Sequence, residues 1–496
     1  MTSISSIRQR ILEQAMRGKL VPQDKNDEPA SVLLKKIQKE KEKMRKEGKL
    51  KKQKPLPPIE EKEIPYELPE GWMWVRLGEI GQIVGGGTPK TDIDEYWAEP
   101  GQGIPWLTPA DLSGHTEMYI SRGKRDISHL GLEKSSATLM PKGTVLFSSR
   151  APIGYVAIAE NEISTNQGFK SIVPYLMETN MYIYYFLKHI GKEINEKATG
   201  TTFKEISGKQ LSLQVIPLPP LKEQKRIVEK INELFSLCDQ WEKEVEFQQK
   251  HIQTLREKVL ADAIRGLLVE QNEDDEPTSV LLKRMKEEKK RWMKEGKIGK
   301  QKTFAPINSD EVPFEIPTTW EWVRLGEIAM INPRNKLDED IDVGFMPMSL
   351  LEEGYSGKHS YEIRKWGEVK KGYTHFQERD IVVAKITPCF ENKKSAIMRN
   401  LPNGYGAGTT ELHVIRPFSG YVLAEYLMLI FKSDWFVEAG VSNFTGTAGQ
   451  QRIPKDFIEN YPIPLPPYEE QKRIVKKVEI IMETIEVMEK NIVPIK

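Results

Sequence analysis

Arginine, lysine, asparagine and glutamine side chains gather in the predicted turns of this sequence, and these residue types can read DNA bases. Arg and Lys pair with guanine, whereas Asn and Gln pair with adenine. Each of them can instead contact a phosphate or simply occupy a loop, since only a minority of contacts specify sequence. The candidate DNA contacts are Arg150, Asn166, Gln167, Lys170, Thr202, Lys204, Arg334, Asn335, Lys336, Lys385, Asn392, Lys393, Gln450, Gln451 and Arg452.

The usual catalytic motifs do not occur in the chain. GGGTPK (85–90) lacks the spacing of a phosphate-binding loop, and the scattered histidines and two cysteines show no zinc-ligand spacing. LPPY (465–468) resembles the motif by which amino-methyltransferases hold their target nitrogen, but Leu465 cannot accept the required hydrogen bond. We therefore expect no catalytic residue, metal or cofactor in this chain.

Predicted hairpins position the candidate DNA contacts. TVLFSSRAPIGYVAIA (144–159) and DIVVAKITPCFENKKSAIM (380–398) each alternate in apolar residues around Pro, Gly or Asn, which indicates strand, turn and strand. Gly/Thr-rich polar stretches follow at 199–210 and 445–456. The two segments 81–215 and 329–462 are therefore predicted to be mixed α/β recognition domains.

The sequence on both sides of each of these two segments is duplicated, and we call the duplicated sequence the frame. ILEQAMRGKLV (11–21) returns as VLADAIRGLLV (259–269), LPEGWMWVRLGEI (68–80) as IPTTWEWVRLGEI (316–328), and IPLPPLKEQKRIV (216–228) as IPLPPYEEQKRIV (463–475). The offsets are 248 and then 247 residues, and between the matched flanks little of the sequence aligns. Matched frames around unlike inserts indicate that the inserts perform two versions of one task.

A heptad seam predicts long paired helices. Apolar residues spaced alternately by four and three predict one helix over 221–268, about 70 Å long. The C-terminal and N-terminal helices together resemble a second, broken copy of it, which predicts an antiparallel pair with a pseudo-two-fold axis. The alternative is that each helix packs only on its neighbouring domain. The proposed seam residues are Ile227, Ile231, Leu234, Trp241, Val245, Ile252, Leu255, Ile474, Val478, Ile481 and Ile485.

Each frame also contains a basic arm, at 35–54 and 283–302. Asp27 or Asp275 is predicted to cap the helix that follows, and Gly48 or Gly296 to end it. Such arms are either solvated helix faces or surfaces for phosphate or a partner.

Composition excludes several classes of protein. The 496 residues carry a net charge of +1, so any nucleic-acid binding must be local. No apolar run approaches the ~20 residues that span a bilayer, the start does not resemble a signal peptide, and two cysteines make no disulfide framework. We expect a cytoplasmic protein without membrane contact.

These motifs resemble the specificity (S) subunit of type I DNA restriction–modification systems. The likeness rests on the two openings LPEGW (68–72) and IPTTW (316–320), the two IPLPPxxEQKRIV closings, and SSRAPIG (148–154) with NQGF (166–169). Unlike some members, this chain places a repeat helix and arm before the first recognition domain.

The resemblance implies a non-catalytic subunit with two recognition domains, each reading half of a bipartite asymmetric DNA site. It also implies helices that set the spacer and dock two methyltransferase (M) subunits, and restriction (R) subunits that join the complex. S-adenosylmethionine, ATP and Mg²⁺ would be bound by these partners.

The domain boundaries expected on this basis are an N-terminal helical region with its arm at 1–67, recognition domain 1 at 68–220, a central helical region with the second arm at 221–315, recognition domain 2 at 316–467, and a C-terminal helix at 468–496. Three alternatives remain at this point. The chain could be a specificity partner of a fused cutting-and-modifying enzyme, a coiled-coil scaffold without DNA readout, or an enzyme such as a nuclease whose site no motif reveals.

Overall fold

The computed structural model describes residues 3–50, 54–150, 152–197, 205–296, 298–299, 302–447 and 449–492. The chain divides into two compact units, one reaching to Val245 and the other spanning Glu246–Ile492. Each unit contains mixed sheets and helices, so the expected fold class, α/β recognition domains with long helices, is confirmed.

In the first unit the helices bury one apolar face each, and short strands alternate with polar turns. The helices are α1 (Ile4–Met16), α2 (Ala30–Lys46), α3 (Leu77–Ile80), α4 (His129–Glu133), α5 (Asn180–Lys197), α6 (Gly208–Ser212) and α7 (Leu221–Ile264), which continues past Val245. The strands are β1 (Met73–Arg76), β2 (Gly81–Gly85), β3 (Trp97–Ala98), β4 (Ile104–Leu107), β5 (Tyr119–Ile120), β6 (Arg125–Ile127), β7 (Val145–Phe147), β8 (Val156–Ala159), β9 (Ser164–Thr165), β10 (Lys170–Pro174) and β11 (Val215–Leu218).

The second unit repeats this composition. Its helices are α8 (Thr278–Lys294), α9 (Leu325–Ile328), α10 (Trp366–Val369), α11 (Ala424–Lys432), α12 (Asp434–Ser442), α13 (Lys455–Asn460) and α14 (Tyr468–Asn491). Its strands are β12 (Glu321–Arg324), β13 (Ala329–Ile331), β14 (Asp342–Met346), β15 (Glu362–Lys365), β16 (Thr374–Gln377), β17 (Ile381–Ala384), β18 (Ser395–Ile397), β19 (Tyr405–Gly408), β20 (Leu412–Pro417) and β21 (Pro462–Leu465).

The two units share a sheet topology even where their sequences do not align. The order β2-β10-β7-β8 in one matches β13-β20-β17-β18 in the other, and the described part of the first sheet adds β5. A second sheet holds β6-β4-β9 in one unit and β15-β14-β19 in the other, with one parallel pair in each. Both predicted hairpins are confirmed, as β7 with β8 and β17 with β18.

The opening and closing motifs of each domain pair directly. Strand β1 pairs antiparallel with β11, Met73 opposite Leu218, and β12 pairs with β21, Glu321 opposite Leu465. The LPEGW and IPLPP motifs therefore bring the two ends of each recognition domain together, which explains why both are repeated.

The long central helix is four residues shorter than predicted, because α7 ends at Ile264 rather than at residue 268. Gly266 then adopts a left-handed backbone with φ of 74°, and the N–H of Leu267 bonds the carbonyl of Asp262 at 2.9 Å. This is a helix-ending arrangement that favours glycine. A Cβ on Gly266 would lie 2.5 Å from Pro317, so the following frame also packs against this turn.

From Ile231 to Val259, the heptad seam of α7 is buried at only one of its two positions per heptad. Ile231, Cys238, Val245, Ile252 and Val259 are buried at intervals of seven residues. The alternate seam positions are half-buried or exposed, namely Leu234, Trp241, Gln248 and Leu255.

Trp241 is therefore a correction to the predicted seam, since it is 39% exposed. The equivalent Met488 of α14 is 49% exposed. In α14, Ile474, Val478 and Ile485 are buried and Ile481 is half-buried. Ile227 is also buried. The spacing locates the apolar stripe, but it does not show which of its edges a neighbour covers.

The basic arms are helical as far as Lys46 and Lys294, with one correction to the predicted caps. α2 and α8 end two residues before Gly48 and Gly296, whose φ angles are 73° and 71°. Asp27 and Asp275 do not cap them, because Pro29 and Pro277 occupy the cap positions without a side-chain hydrogen bond. Both aspartates form ion pairs instead, as described below. Within the described residues, no helix is long and apolar enough to cross a membrane.

Candidate nucleic-acid interface

Three loops of the first unit meet at one end of its five-stranded sheet. We call them loop cluster 1: residues 86–90 after β2, 148–150 after β7, and 166–168 between β9 and β10. Gly87 donates its N–H to the carbonyl of Thr165 at 2.8 Å, and Ser149 donates to that of Gly168 at 2.7 Å. Pairing of β10 with both β2 and β7 thus brings together turns that are separate in the sequence.

Glycine at position 86 is what allows this close approach. A Cβ there would lie 1.9 Å from the carbonyl oxygen of Asn166 and 2.4 Å from that of Thr165. Real Cβ atoms do not come so near, so a larger residue would push the loops apart. A Cβ on Gly85, immediately before it, would meet no atom within 4 Å.

The candidate residues of the first domain have different roles within loop cluster 1. Asn166 accepts the N–H of Gly168 at 2.8 Å, so its side-chain oxygen shapes the turn. Gln167 is exposed beside it. Lys170 lies 3.3 Å from Glu205 and is thereby partly neutralised. Arg150 pairs through its backbone with Glu205. Thr202 and Lys204 lie outside the described residues.

Thr88 was missed by sequence reasoning. Its hydroxyl donates to the side-chain oxygen of Gln167 and holds that amide at the edge of the cluster. The spacing of GGGTPK (85–90) excludes a phosphate-binding loop but does not show which backbone contacts this run makes. The useful signal was its three consecutive glycines, which permit close backbone contact.

The second unit brings together the corresponding loops. We call them loop cluster 2: residues 332–336 after β13, 385–387 after β17, 409–411 between β19 and β20, and 450–452. Thr387 donates its N–H to the carbonyl of Gln451 at 3.0 Å, and Lys385 donates to that of Glu411 at 2.9 Å. This arrangement parallels the first unit, but the side chains differ.

A buried histidine connects two of these loops. His413 of β20 receives a hydrogen bond at Nδ1 from Asn332 at 3.3 Å, and its Nε2 lies 3.0 Å from the carbonyl of Ile453. A neutral ring with its proton on Nε2 satisfies both contacts. Burial lowers the pKa of His413 from 6.5 to about 4. His413 is thus a strand residue whose two ring nitrogens both have partners.

Arg334, Asn335 and Lys336 emerge from the loop after β13. Asn335 is fully occupied, because its amide donates to the carbonyl of Phe376 at 3.0 Å and its oxygen accepts from Arg416 at 3.1 Å. Arg334 donates to the carbonyl of Tyr373 at 3.0 Å but remains exposed. Lys336 is exposed as well. Asn335 thus bonds within its own domain, and the residues on either side of it, Arg334 and Lys336, are exposed cations.

Arg452 forms a two-point ion pair with Glu411, at 2.8 and 3.0 Å. These hydrogen bonds lower the pKa of the Glu411 carboxyl. Gln450 is exposed on the same loop, Gln451 is half-buried, and Lys385 is half-buried opposite them. The two glutamines thus directly precede Arg452, whose guanidinium is held by Glu411.

Asn392 and Lys393 stand at the far side of the β17–β18 turn and bond to their own domain. Asn392 donates to Glu353 at 3.1 Å. The side chain of Lys393 is 10% exposed, and its ammonium reaches Asp434 at 2.5 Å and Tyr355 at 2.6 Å. Burial acts to lower the pKa of Lys393, but these hydrogen bonds outweigh it and raise the pKa. Sequence could not show that this lysine turns inward.

The frame beneath the two clusters repeats its polar contacts almost atom for atom. Trp72 donates to Glu223 at 3.0 Å, and Trp320 donates to Glu470 at 3.0 Å. Three ion pairs of the first unit also recur in the second at the same offsets. Arg76 with Glu63 matches Arg324 with Glu311, both at 2.6 Å. Arg226 with Asp27 at 2.7 Å matches Arg473 with Asp275 at 2.6 Å, and Arg8 with Glu242 matches Arg256 with Glu489, both at 2.7 Å.

Two contacts in each unit give the relative direction of its helices. In the first unit Arg8 of α1 meets Glu242, and farther along the chain Gln23 meets Glu223. In the second unit Glu489 of α14 meets Arg256 of α7. Since the partner number falls as the chain advances, α1 lies antiparallel to the first half of α7. Gln271 meeting Glu470 gives the same result for α14.

Comparison with known proteins identifies the family. The profile of a family described as "Type I restriction modification DNA specificity domain" matches residues 69–248 and again residues 317–496. The chain belongs to this family. The resemblance drawn from the repeated motifs is thereby confirmed, and the chain carries two copies of the specificity domain.

Curated relatives of the specificity-domain family agree. The chain is 50% identical over 241 residues to the type I restriction enzyme EcoAI specificity subunit of Escherichia coli, covering 48% of this chain and 41% of that protein. It is 52% identical over 225 residues to the EcoEI specificity subunit of the same species, covering 45% and 38%. The matches thus span about two fifths of the length of these relatives.

A solved structure from a study of complex assembly and conformational transition in a type I restriction–modification system supports the fold. It aligns with a TM-score of 0.54 at 20% identity, covering 86% of this chain and 94% of that one. Among the residues described, no group of three or more His, Cys, Asp or Glu side chains could hold a metal ion.

Proposed function

We propose that the chain is the DNA sequence-specificity subunit of a type I restriction–modification complex. One observation carries this proposal. The two specificity domains share a sheet order and a set of frame contacts, yet they present different side chains at the same loop positions. Two unlike readers on one scaffold suit a DNA site with two unlike halves.

Recognition domain 1 (68–220) reads one half-site and recognition domain 2 (316–467) reads the other. Gln167, Arg150 and Thr88 of loop cluster 1 are the leading candidates for contacts in the first half. Arg334, Lys336 and Gln450 of loop cluster 2 are the candidates in the second. Their amide and guanidinium groups can bond base edges or phosphates.

The helical regions (1–67, 221–315 and 468–496) set the separation of the half-sites and dock two M subunits. The R subunits join that assembly. This chain is non-catalytic, and S-adenosylmethionine, ATP and Mg²⁺ bind to the partners. The buried seam and its exposed edge residues, such as Trp241 and Met488, support an interaction role for these helices. The complex acts on cytoplasmic DNA.

Methylome sequencing tests the proposal. A host expressing this chain with its own M partner is expected to carry N6-methyladenine on both strands of a bipartite motif, and the motif disappears when this chain is deleted. Replacing residues 81–215 with the equivalent segment of a relative should change one half-site only. If no new motif arises with an M subunit shown to be active beside another S subunit, the chain is a scaffold without DNA readout.

A further inference from the structure

The first unit has an open cleft where α5 meets the start of α7. Its volume is about 440 Å³, and Met181, Tyr182, Gln224 and Val228 line it. Glu178 and Lys225 stand at the rim, 3.6 Å apart. This volume falls within the range of ligand pockets, which begin at about 300 Å³. It is also far larger than the space of one water molecule.

Gln224 is an unsatisfied polar side chain of this cleft. It is 2% exposed, and its amide nitrogen donates to the carbonyl of Pro219 at 3.0 Å. Its side-chain oxygen has no hydrogen-bond partner within the described part of the chain. A buried acceptor left without a donor is costly, so such groups are normally paired.

The equivalent glutamine of the second unit is fully satisfied by its own chain. Gln471 donates to the carbonyls of Pro466 and Tyr421, both at 3.1 Å, and its oxygen accepts the N–H of Leu423 at 2.9 Å. Tyr421 and Leu423 therefore give Gln471 the backbone partners that the side-chain oxygen of Gln224 lacks in the first unit.

A difference of one residue explains the contrast. Tyr175 and Phe418 are equivalent, since they bond the carbonyls of Ile80 and Ile328, and Tyr182 and Tyr426 are equivalent, since they bond those of Pro217 and Pro464. Residues 176–181 join the first pair of anchors, whereas residues 419–425 join the second.

The shorter connection turns back on itself. It forms a 3-10 turn over Met177–Thr179, and the N–H of Thr179 bonds the carbonyl of Leu176 at 3.1 Å. Thr179 lies three residues before Tyr182, as Leu423 lies three before Tyr426. The N–H of Thr179 is used within the turn, so it does not take the part that the N–H of Leu423 has in the second unit.

We propose that this cleft is a docking site for a short uncharged segment of a partner polypeptide. The segment places an apolar side chain against Met181 and Val228 and donates a backbone N–H to the free oxygen of Gln224. A phosphate does not suit the site, because the unpaired group is an acceptor. Within the described residues the cleft with its unpaired glutamine oxygen is found in the first unit and not at Gln471, and its lining residues are not those of loop cluster 1.

Direct binding of a peptide tests the site. The probe is a fluorescent peptide with the sequence Phe-Ser-Gly-Tyr-Val-Leu, copied from residues 418–423, titrated with the full chain and followed by anisotropy. Saturable binding of one peptide per chain is expected, while a scrambled peptide does not bind. Gln224→Met should weaken binding about threefold to tenfold, the usual value of one hydrogen bond.

Two variants make the result specific. Gln471→Met is the matched control and should leave the affinity unchanged. Replacing residues 176–181 with the sequence of 419–425 should fill the cleft and abolish binding. No saturable binding, two peptides per chain, or equal affinity in the Gln224→Met variant would each overturn the proposal. If the graft does not fold, as judged by its thermal unfolding, the two glutamine variants decide.

Discussion

Trp72 donates its indole N–H to Glu223 at 3.0 Å, joining the opening motif of the first domain to the first turn of α7. Gln23 binds the other oxygen of this carboxylate at 3.2 Å. Burial raises the pKa of Glu223, although these two hydrogen bonds oppose the effect. The same triad recurs with Trp320, Glu470 and Gln271.

This raised pKa predicts a pH dependence. Since the folded pKa lies above the unfolded one, the contribution of Glu223 to stability is full below the unfolded pKa and declines as pH rises through the folded pKa. Glu223→Gln should therefore reduce the fall in the free energy of unfolding that occurs as the pH rises from the unfolded pKa of Glu223 through its folded pKa. Urea unfolding across this range measures the slope, with exposed Glu229→Gln as control. An unchanged slope would contradict the assignment.

Arg76 should be essential to the frame of the first unit. Its guanidinium bonds Glu63 and the backbone carbonyls of Pro57, Pro58 and Leu213. Arg76→Met leaves those acceptors without donors, and we expect the melting temperature to fall by about 5 °C.

Arg324→Met should have a similar effect on the second unit, because Arg324 bonds Glu311 and the carbonyls of Ala305, Pro306 and Asn460. Differential scanning calorimetry compares the two variants with Arg10→Met, at an exposed arginine of α1. A large difference between the two frame variants would show that the frames are not energetically equivalent.

Gly86→Ala should damage recognition of one half-site. The new Cβ would meet the carbonyl oxygen of Asn166, so the turn bearing Gln167 must move. Methylation by the assembled complex on oligonucleotides varied in each half should show relaxed or lost discrimination in one half only. Gly85→Ala, which meets no atom within 4 Å, is the control. Equal loss in both halves would argue against separate readers.

His413 should make the second unit acid-sensitive. The folded pKa of about 4 lies below the ordinary 6.5, so the unfolded state binds the proton first and stability is lost as pH falls through this range. At pH 5 the loss relative to pH 7 is about 2 kcal/mol.

His413→Gln should remove this pH-dependent part of the free energy of unfolding. His129→Gln, at an exposed histidine, should not. Denaturant unfolding at pH 5 and pH 7 compares the three proteins. A wild-type loss that persists in His413→Gln would assign the effect to other groups.

Inserting four residues beside Gln248 should lengthen the spacer of the DNA site. Four residues add one helical turn of about 6 Å to α7 and leave both loop clusters untouched. Methylome sequencing of the variant should recover both original half-sites at a greater separation, with an insertion in the exposed turn at Gly114 as control. Changed half-sites would contradict the role of the helix as a ruler.

The sequence alone determined the duplicated frame, the two hairpins and the heptad stripe of α7. These features depend on local periodicity or on identical residues at a constant offset, such as Trp72 and Trp320, so they can be read without knowing any distant contact. The family followed from the same motifs.

The tertiary structure alone decided which loops meet and which side chains face outward. Unlike inserts adopt one sheet order, GGGTPK packs on the turn of Gln167, Lys393 turns inward to Asp434, and Trp241 stays exposed. The connection before Tyr182 is one residue shorter than its equivalent, and the side-chain oxygen of Gln224 has no hydrogen-bond partner among the described residues. Each outcome depends on contacts between residues far apart in the chain, which are set by strand pairing and packing and leave no periodic trace in the sequence.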